Sequence, residues 1–251
     1  MRAGGAVTVA LVTGGGGGIG RATATALAAA GDDVAILDLD AGPGRETAEL
    51  VEAAGRRALF LRTDVSDGAR MAWAVDEVER RLGPITAFAN NAGIEGVVAP
   101  IHLYPDEIFD RLLQVNAKGV FLGLKHVLAR MIPRGEGAIV NTASTSAIRG
   151  RAGLAGYVAT KHAVLGLTRV AALDVAGTAI RVNAVLPGPI ETRMIRSLDE
   201  QAGRSGGIRR AGAAAYGSPE DVAGIIRFLL SDQARHVNGA AWTVDGGSTV
   251  A

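Results

Sequence analysis

The strand, glycine turn and helix at the head of the chain limit its folding more than any other feature. Val7 to Val12 is a short β-branched apolar run, Thr13-Gly14-Gly15-Gly16-Gly17-Gly18-Ile19-Gly20 follows at once, and an alanine-rich helical stretch runs from Arg21 to Ala30. Glycines let the chain turn tightly and bring backbone N–H groups close to an anion, which the positive end of the next helix also favours. A glycine run alone would also suit a flexible linker, but linkers seldom join an apolar strand to an amphipathic helix. In this βαβ context the pattern predicts a pyrophosphate cradle. The next strand-like run, Asp33 to Leu37, ends in Asp38. A dinucleotide site wants a carboxylate close to there, to accept bonds from the adenosine ribose hydroxyls and repel a 2′-phosphate. The competing reading is an aspartate that caps the following helix. No Lys or Arg occurs among Gly15 to Ile19 or at Leu39, so the expected cofactor is NAD; Arg21 and Arg45 are the basic groups nearest in sequence.

The rest of the chain repeats this alternation. Strand-like runs at Arg57 to Leu61, Ile85 to Ala89, Ala138 to Thr142, Ile180 to Val185 and Ala241 to Val244 are separated by helix-like stretches. The latter are Gly44 to Ala54, Gly68 to Leu82, Pro105 to Met131, Leu154 to Val175 and Pro219 to Leu230. Such a sequence predicts an α/β fold, a doubly wound parallel sheet of about seven strands with helices on both faces. Ligands bind beyond the carboxyl ends of such strands. Gly14, Asp38, Asp64, Asn90, Ser144 and Pro187 all follow predicted strand ends, so the motifs converge on one rim.

Ser144, Tyr157 and Lys161 supply a hydroxyl, a phenol and an amine, with Asn116 as a fourth candidate. Tyr157 and Lys161 are four residues apart on a predicted helix and leave the same face. A nearby ammonium favours phenolate, so the tyrosine pKa is expected to fall below its usual value of about 10 and make the phenol an acid/base. Alone, a Tyr-x-x-x-Lys spacing is weak evidence, since it also arises from a packed phenol and a solvated lysine.

Together these residues resemble the short-chain dehydrogenase/reductase family from Val7 to the C-terminus. Thr13 to Gly20 matches its Thr-Gly-x-x-x-Gly-Ile-Gly turn, Asp64-Val65 its adenine-contacting pair, and Asn90-Asn91-Ala92-Gly93 its motif under the cofactor. Asn116 matches the tetrad asparagine, and Ser144 precedes Tyr157 by the family's serine spacing. Pro187-Gly188-Pro189-Ile190-Glu191-Thr192 looks like the loop that contacts the nicotinamide carboxamide, and Asp245-Gly246-Gly247 like the motif of the last strand. The resemblance implies a Rossmann-type fold and NAD held by Gly14, Gly17, Gly18, Ile19, Gly20, Asp38, Asp64, Val65, Asn91, Ala92 and Gly93. Tyr157, Lys161, Pro187, Gly188, Ile190 and Thr192 complete that set. It further implies interconversion of an alcohol and a ketone, with Tyr157 moving the proton, Ser144 holding the substrate oxygen, Lys161 holding the nicotinamide ribose and Asn116 holding a water. Ile94-Glu95-Gly96 and Ile148-Arg149-Gly150 are similar to members acting on cyclic secondary alcohols. The chain departs from the pattern in its five consecutive glycines, expected to raise the unfolded-state entropy of the turn and to weaken cofactor binding a little, and in Thr145-Ser146-Ala147 after Ser144. Ser146 either faces substrate or bonds the local backbone.

Length and composition set the remaining expectations. A chain of 251 residues suits one α/β domain, 1–251. Formal net charge +1, without a long charge run, gives no pull towards nucleic acid or an anionic membrane. There is no cysteine, and His102, His126, His162 and His236 lack metal-ligand spacing, so no metal is expected. Without a signal-like stretch in Met1 to Ala6 or a membrane span, a soluble, cytoplasmic protein is expected. The segment 193–217 reads as a mobile substrate lid. Met194, Ile195, Leu198 and Ile208 would give it an apolar wall, and Arg193, Arg196, Arg204, Arg209 and Arg210 either a site for a carboxylate or phosphate or, as the favoured reading, a solvated surface. By resemblance the assembly is a homotetramer, with Pro105 to Met131 and Leu154 to Val175 pairing across one two-fold and the Pro219 helix with the last strand across another. The alternatives are an NADPH-linked 3-oxoacyl thioester reductase and a dinucleotide-binding sensor without catalysis. The near-neutral charge and Asp38 oppose the first, and the intact Tyr157 and Lys161 the second.

Overall fold

In the computed structural model, residues 8–203 and 216–250 are described. Val7, at the predicted start of the first strand, and Arg204, Ile208, Arg209 and Arg210 of the predicted lid lie outside the described residues. Seven strands form one sheet: β1 (Val9–Thr13), β2 (Asp33–Asp38), β3 (Ala58–Arg62), β4 (Ile85–Asn90), β5 (Glu136–Thr142), β6 (Ala179–Pro187) and β7 (Ala241–Val244). Their order is β3-β2-β1-β4-β5-β6-β7 and every pairing is parallel. The order reverses between β1 and β4, the position where such sheets open a crevice.

Alternation along the strands divides the core in two. Val9 and Leu11 of β1, with Ala35 and Leu37 of β2, face one side, where Met71, Val75, Leu122, Val127 and Val164 pack against them. Ala10 and Val12, with Val34 and Ile36, face the other, against Leu27, Val51, Val222 and Ile226. The first layer holds α3 (Gly68–Arg81), α5 (Gly119–Met131) and α6 (Ala155–Asp174); the second holds α1 (Gly18–Ala29), α2 (Ala41–Ala53) and α8 (Pro219–Leu230). A strand buried on both faces needs apolar residues at nearly every position, which is why β1 and β2 read as continuous apolar runs.

The carboxyl ends of the central strands are tied by a buried polar chain. Thr13 Oγ1 donates to Asn90 Oδ1 at 3.4 Å, Asn90 Nδ2 donates to Asn141 Oδ1 at 3.0 Å, and Asn141 Nδ2 donates to Thr168 Oγ1 on α6 at 3.0 Å. Asn90 Nδ2 also reaches the Val120 carbonyl at 3.0 Å. Buried amides satisfied in this way fix the relative heights of β1, β4 and β5, and so of the loops that leave them.

Two stretches differ from the sequence expectation. The predicted helix from Pro105 to Met131 contains α4 (Asp106–Leu112) and α5 separated by a π turn at Leu113–Lys118, where the Gly119 N–H bonds the Gln114 carbonyl. The wider turn rotates the following residues and buries Asn116 completely. The predicted mobile lid begins with a regular helix, α7 (Arg193–Gln201), whose first turn is capped by Thr192 Oγ1 accepting from the Ile195 N–H at 3.4 Å. Among the described residues no helix is long and apolar enough to cross a membrane.

Candidate active site

A cavity of about 1120 Å³ runs along the carboxyl ends of the strands. The β1–α1 turn forms part of its wall, and close packing accounts for four of the five consecutive glycines. A Cβ on Gly14, which has φ 62°, would sit 2.8 Å from the Ala92 Cα; one on Gly15 would meet the Ile36 side chain at 2.8 Å. At Gly16 it would strike Asp38 Oδ2 at 2.8 Å, and at Gly18, with φ 49°, it would approach Thr192 Cγ2 to 3.1 Å. Only Gly17, in extended conformation, has nothing within 4 Å. The turn is therefore hemmed in by its neighbours. Gly20 does not line the cavity; it lies beneath the turn, where a Cβ would stand 2.0 Å from the Gly14 carbonyl oxygen.

Thr13 and Asn91 hold the turn in place. Thr13 Oγ1 accepts from the N–H groups of Asn91 and Ala92 at 2.9 and 3.1 Å, and Asn91 Nδ2 donates to the carbonyls of Thr13 and Gly14 at 3.2 and 3.3 Å. Asn91, Ala92 and Gly93 also face the cavity. On the far side of the turn, Asp38 Oδ2 accepts from the Gly16 N–H at 2.8 Å and Oδ1 from the Asp40 N–H at 3.0 Å. The N-cap of α2 is Asp40, not Asp38. Asp38 is thus left on the cavity wall, with Asp64 and Val65. Asp64 Oδ1 accepts from the N–H and hydroxyl of Ser66 at 2.9 and 2.7 Å.

Arg21 is turned away from this region: it bonds the Gly16 and Pro43 carbonyls and Thr47, and pairs with Glu46 at 2.8 Å. Arg45 is exposed and does not line the cavity, whereas Arg62 at the end of β3 does. Nothing in the sequence singled out Arg62, because a charged residue closing a strand normally reads as solvated.

Ser144, Tyr157 and Lys161 line the same cavity. Ser144 stands just beyond β5, where its Oγ accepts from the Ser146 N–H at 3.1 Å, so the backbone of Ser146 orients Ser144. Ser146 is itself buried and faces the cavity. Lys161 is only 4% exposed and donates to the Thr142 carbonyl at 2.8 Å. Its Nζ is 5.6 Å from the Tyr157 ring centroid. Burial raises the Tyr157 pKa above its ordinary value, a Glu95 charge adds to this, and hydrogen bonding to Ser144 and the Arg151 charge pull it down. The expectation that Lys161 lowers it is thus corrected: loss of water around the phenol outweighs the charges nearby. Burial also pushes the Lys161 ammonium down to about 8.

This shift has a consequence for stability. The unfolded chain keeps the lysine proton up to about 10.5 and the folded chain only to about 8, so folding becomes more favourable as pH rises through that window. Below 8 the full cost of burying the charge remains. At about 1.4 kcal/mol per pKa unit, the advantage of Lys161→Met over the native chain should shrink by about 3 kcal/mol between pH 7 and pH 10.5. Urea unfolding of both proteins at the two pH values checks this; a pH-independent difference would contradict it.

Asn116 does not face the cavity. Its Oδ1 accepts from the Ile94 N–H and its Nδ2 donates to the Ile94 carbonyl, both at 2.8 Å, with Thr160 Oγ1 at 3.4 Å. Both ends of the side chain therefore pin the segment after Gly93. Further along, Ala99 bonds Gly153 at 3.0 Å just before α6, and Val98 donates to Gln201 Oε1 at 3.0 Å. Gln201 Nε2 reaches the Gly96 carbonyl at 3.4 Å, so the end of α7 is latched to the loop ahead of it.

Pro187, Gly188, Ile190 and Thr192 complete the wall, and Gly188 packs so closely on Asp245 that a Cβ would stand 2.7 Å away. Met194, Ile195 and Leu198 of α7 line the cavity with Arg193, while Arg196 pairs with Glu191 at 2.6 Å. Tyr216, after the lid, donates to the buried Asp199 of α7 at 2.5 Å.

The family described as Enoyl-(Acyl carrier protein) reductase matches residues 14–249. The chain is 40% identical over 255 residues to the levodione reductase of Leifsonia aquatica, covering 97% of this chain and 94% of that one. It is 36% identical to the cyclohexanol dehydrogenase of Acinetobacter sp. (strain SE19), covering 96% and 94%. The chain belongs to the short-chain dehydrogenase/reductase family. Among solved members, NAD+-bound xylitol dehydrogenase superposes with TM-score 0.90 at 34% identity, covering 96% of this chain and 98% of that one. An actinorhodin polyketide ketoreductase with NADPH gives 0.91 at 34%, covering 96% and 97%. The family thus accommodates both nicotinamide cofactors on this fold.

Proposed function

We propose that the chain is an NAD(H)-dependent oxidoreductase interconverting a secondary alcohol and its ketone. The observation that carries this reading is one cavity lined both by the β1–α1 turn with Asp38 and by Ser144, Tyr157 and Lys161. A dinucleotide fits its lining: the open side of Gly17 at the start of α1 suits a pyrophosphate, and the Asp38 carboxylate suits ribose hydroxyls. The chemistry supplied by a bound nicotinamide would be hydride transfer between its ring and the alcohol or ketone carbon.

The protein's share is to place the oxygen and move its proton. In oxidation Tyr157 takes the hydroxyl proton; in reduction it gives one to the carbonyl oxygen. Ser144, oriented by the Ser146 N–H, donates to that oxygen as negative charge develops, a contribution of about 3 kcal/mol for such a donor. Lys161 holds the nicotinamide ribose and supplies a cation to the wall. Because the Asn116 side chain is committed to Ile94, a water relay to Lys161 falls to its backbone carbonyl. Met194, Ile195 and Leu198 give the cavity an apolar wall, and Gln201 ties the end of α7 to the Gly96–Val98 segment. The name cyclohexanol dehydrogenase, carried by a relative, makes cyclic alcohols the first class to test.

For the cofactor, Asp38 carries the preference for NAD. Two unit charges about 4 Å apart repel by about 4 kcal/mol at an effective dielectric near 20, and partial solvent exposure weakens this. Asp38→Ala should therefore narrow the NADH-over-NADPH affinity ratio by at least about tenfold. Fluorescence titration of both reduced cofactors reads this directly, and an unchanged ratio would reduce Asp38 to a support for the turn. Assembly is proposed as a cytoplasmic homotetramer, supported by the exposed Phe121 on α5 and Val170 and Leu173 on α6.

A further inference from the structure

Two walls of the cavity leave neighbouring strands and are joined again beyond the sheet, by a turn that does not face the cavity. The ladder between β5 and β6 ends at Thr142 and Val185. Past that point one strand runs into Ser144, Thr145 and Ser146 and the other into Pro187, Gly188 and Ile190, all on the cavity wall. The turn after β7 bridges them. On one side Gly188 donates its N–H to the Val244 carbonyl at 2.9 Å and packs on Asp245 with no room for a side chain. On the other, Arg149 Nη1 donates to the Ser248 carbonyl at 2.7 Å and Nη2 to Ser248 Oγ at 3.4 Å. Between the two, the Ser248 hydroxyl donates to Asp245 Oδ2 at 3.2 Å and the Gly247 N–H to Oδ1 at 3.0 Å. Ser248 is buried, yet neither it nor Arg149 lines the cavity.

We propose that Arg149 is a positioning residue for the reaction: through Ser248 and Asp245 it fixes the loop behind Ser144 against the loop that receives the nicotinamide. The first loop needs such a tie, because Ile148 and Gly150 on either side of Arg149 are exposed and the helix that carries Tyr157 starts only at Ala155. Two N–H groups of one planar guanidinium, both on Ser248, fix direction as well as distance. Among the described residues the Arg149 Nε is buried without a partner. Burying that group costs stability, so the path of the side chain is set by where its end must reach. The inference rests on the reading that Ser144 and the nicotinamide act in this cavity.

Steady-state kinetics and NADH titration of the full chain test it. Arg149→Met follows the same path without N–H groups and removes the tie and the orphan Nε together, so Tm should stay close to the native value. Its kcat should fall at least about tenfold, as misplacement of groups around the reacting atoms would cause, while the NADH Kd changes by less than about threefold. Arg149→Lys keeps a donor for the Ser248 carbonyl and should restore most of the lost kcat. Ser248→Ala cuts the side-chain link to Asp245, should lower kcat in the same pattern by a smaller factor, and serves where the methionine variant does not fold. Native kcat in these variants overturns the proposal, as does a fall matched by an equal loss of NADH affinity or one that Arg149→Lys does not relieve. Absence of turnover in the native chain is a failure of the alcohol–ketone reading instead. Amide hydrogen exchange in the NADH complex then decides: faster exchange across residues 144–153 in Arg149→Met supports the tie, and unchanged exchange overturns it.

Discussion

Tyr157→Phe should lower turnover by about 10²- to 10⁴-fold, the usual contribution of a positioned proton donor or acceptor, while cofactor affinity changes by less than about tenfold, the scale of one hydrogen bond. The substitution keeps the ring and removes only the hydroxyl. Ser144 keeps its bond from the Ser146 N–H, and Lys161 keeps its bond to the Thr142 carbonyl, so neighbouring groups stay in place. Because burial raises the phenol pKa, the native enzyme should oxidise alcohols faster as pH rises, and this dependence should vanish in the residual activity of the variant. Steady-state rates across pH, with cofactor titration of both proteins, measure the effect. Retained turnover in Tyr157→Phe would remove Tyr157 from the chemistry.

The second large effect separates two glycines of one turn. In Gly20→Ala the new methyl would stand 2.0 Å from the Gly14 carbonyl oxygen, a backbone atom that cannot swing aside, so the turn or α1 must move. Overpacking of this kind costs about 1–3 kcal/mol, and displacement of the turn should weaken cofactor binding by more than about tenfold. Gly17→Ala meets nothing within 4 Å and needs no positive φ, so the unfolded-state gain and the poorer N-cap should nearly cancel and leave stability within about 1 kcal/mol of the native chain. Thermal unfolding distinguishes the two. Equal losses of stability for both variants would show that the turn is governed by flexibility and not by packing.

The centre of the sheet was legible in the sequence because β1, β2 and β4 are almost continuously apolar and end at or lead into Gly14, Asp38 and Asn90. β2 begins at Asp33 and β7 spans Ala241–Val244, both where the apolar runs place them. The π turn was not legible: Leu113 to Lys118 carries ordinary helical residues, and the widening comes from what Asn116 bonds across space, the backbone of Ile94. Helix α7 is hidden for a related reason, since the capping Thr192 reads as part of the nicotinamide loop and the glycines nearby suggest motion. At the candidate site, residue types and spacing named Ser144, Tyr157 and Lys161, but not the sign of the tyrosine pKa shift. Spacing places the ammonium on the same helix face; it does not report how much water the phenol loses. Arg62 and Gln201 were invisible because their partners, the Leu39 carbonyl and the Gly96–Val98 backbone, are distant in sequence and carry no side-chain signature.

The most direct test of the account is absorbance at the reduced-nicotinamide band while the purified protein meets NAD, then NADP, with a panel of cyclic, aromatic and aliphatic secondary alcohols, followed by the matching ketones with reduced cofactor. The account predicts NAD reduction with at least one alcohol class, the reverse reaction with its ketone, and a clear preference for NAD over NADP. Firm NAD binding with no turnover across the panel would contradict the alcohol–ketone reading and move the chain to the class of dinucleotide-binding sensors.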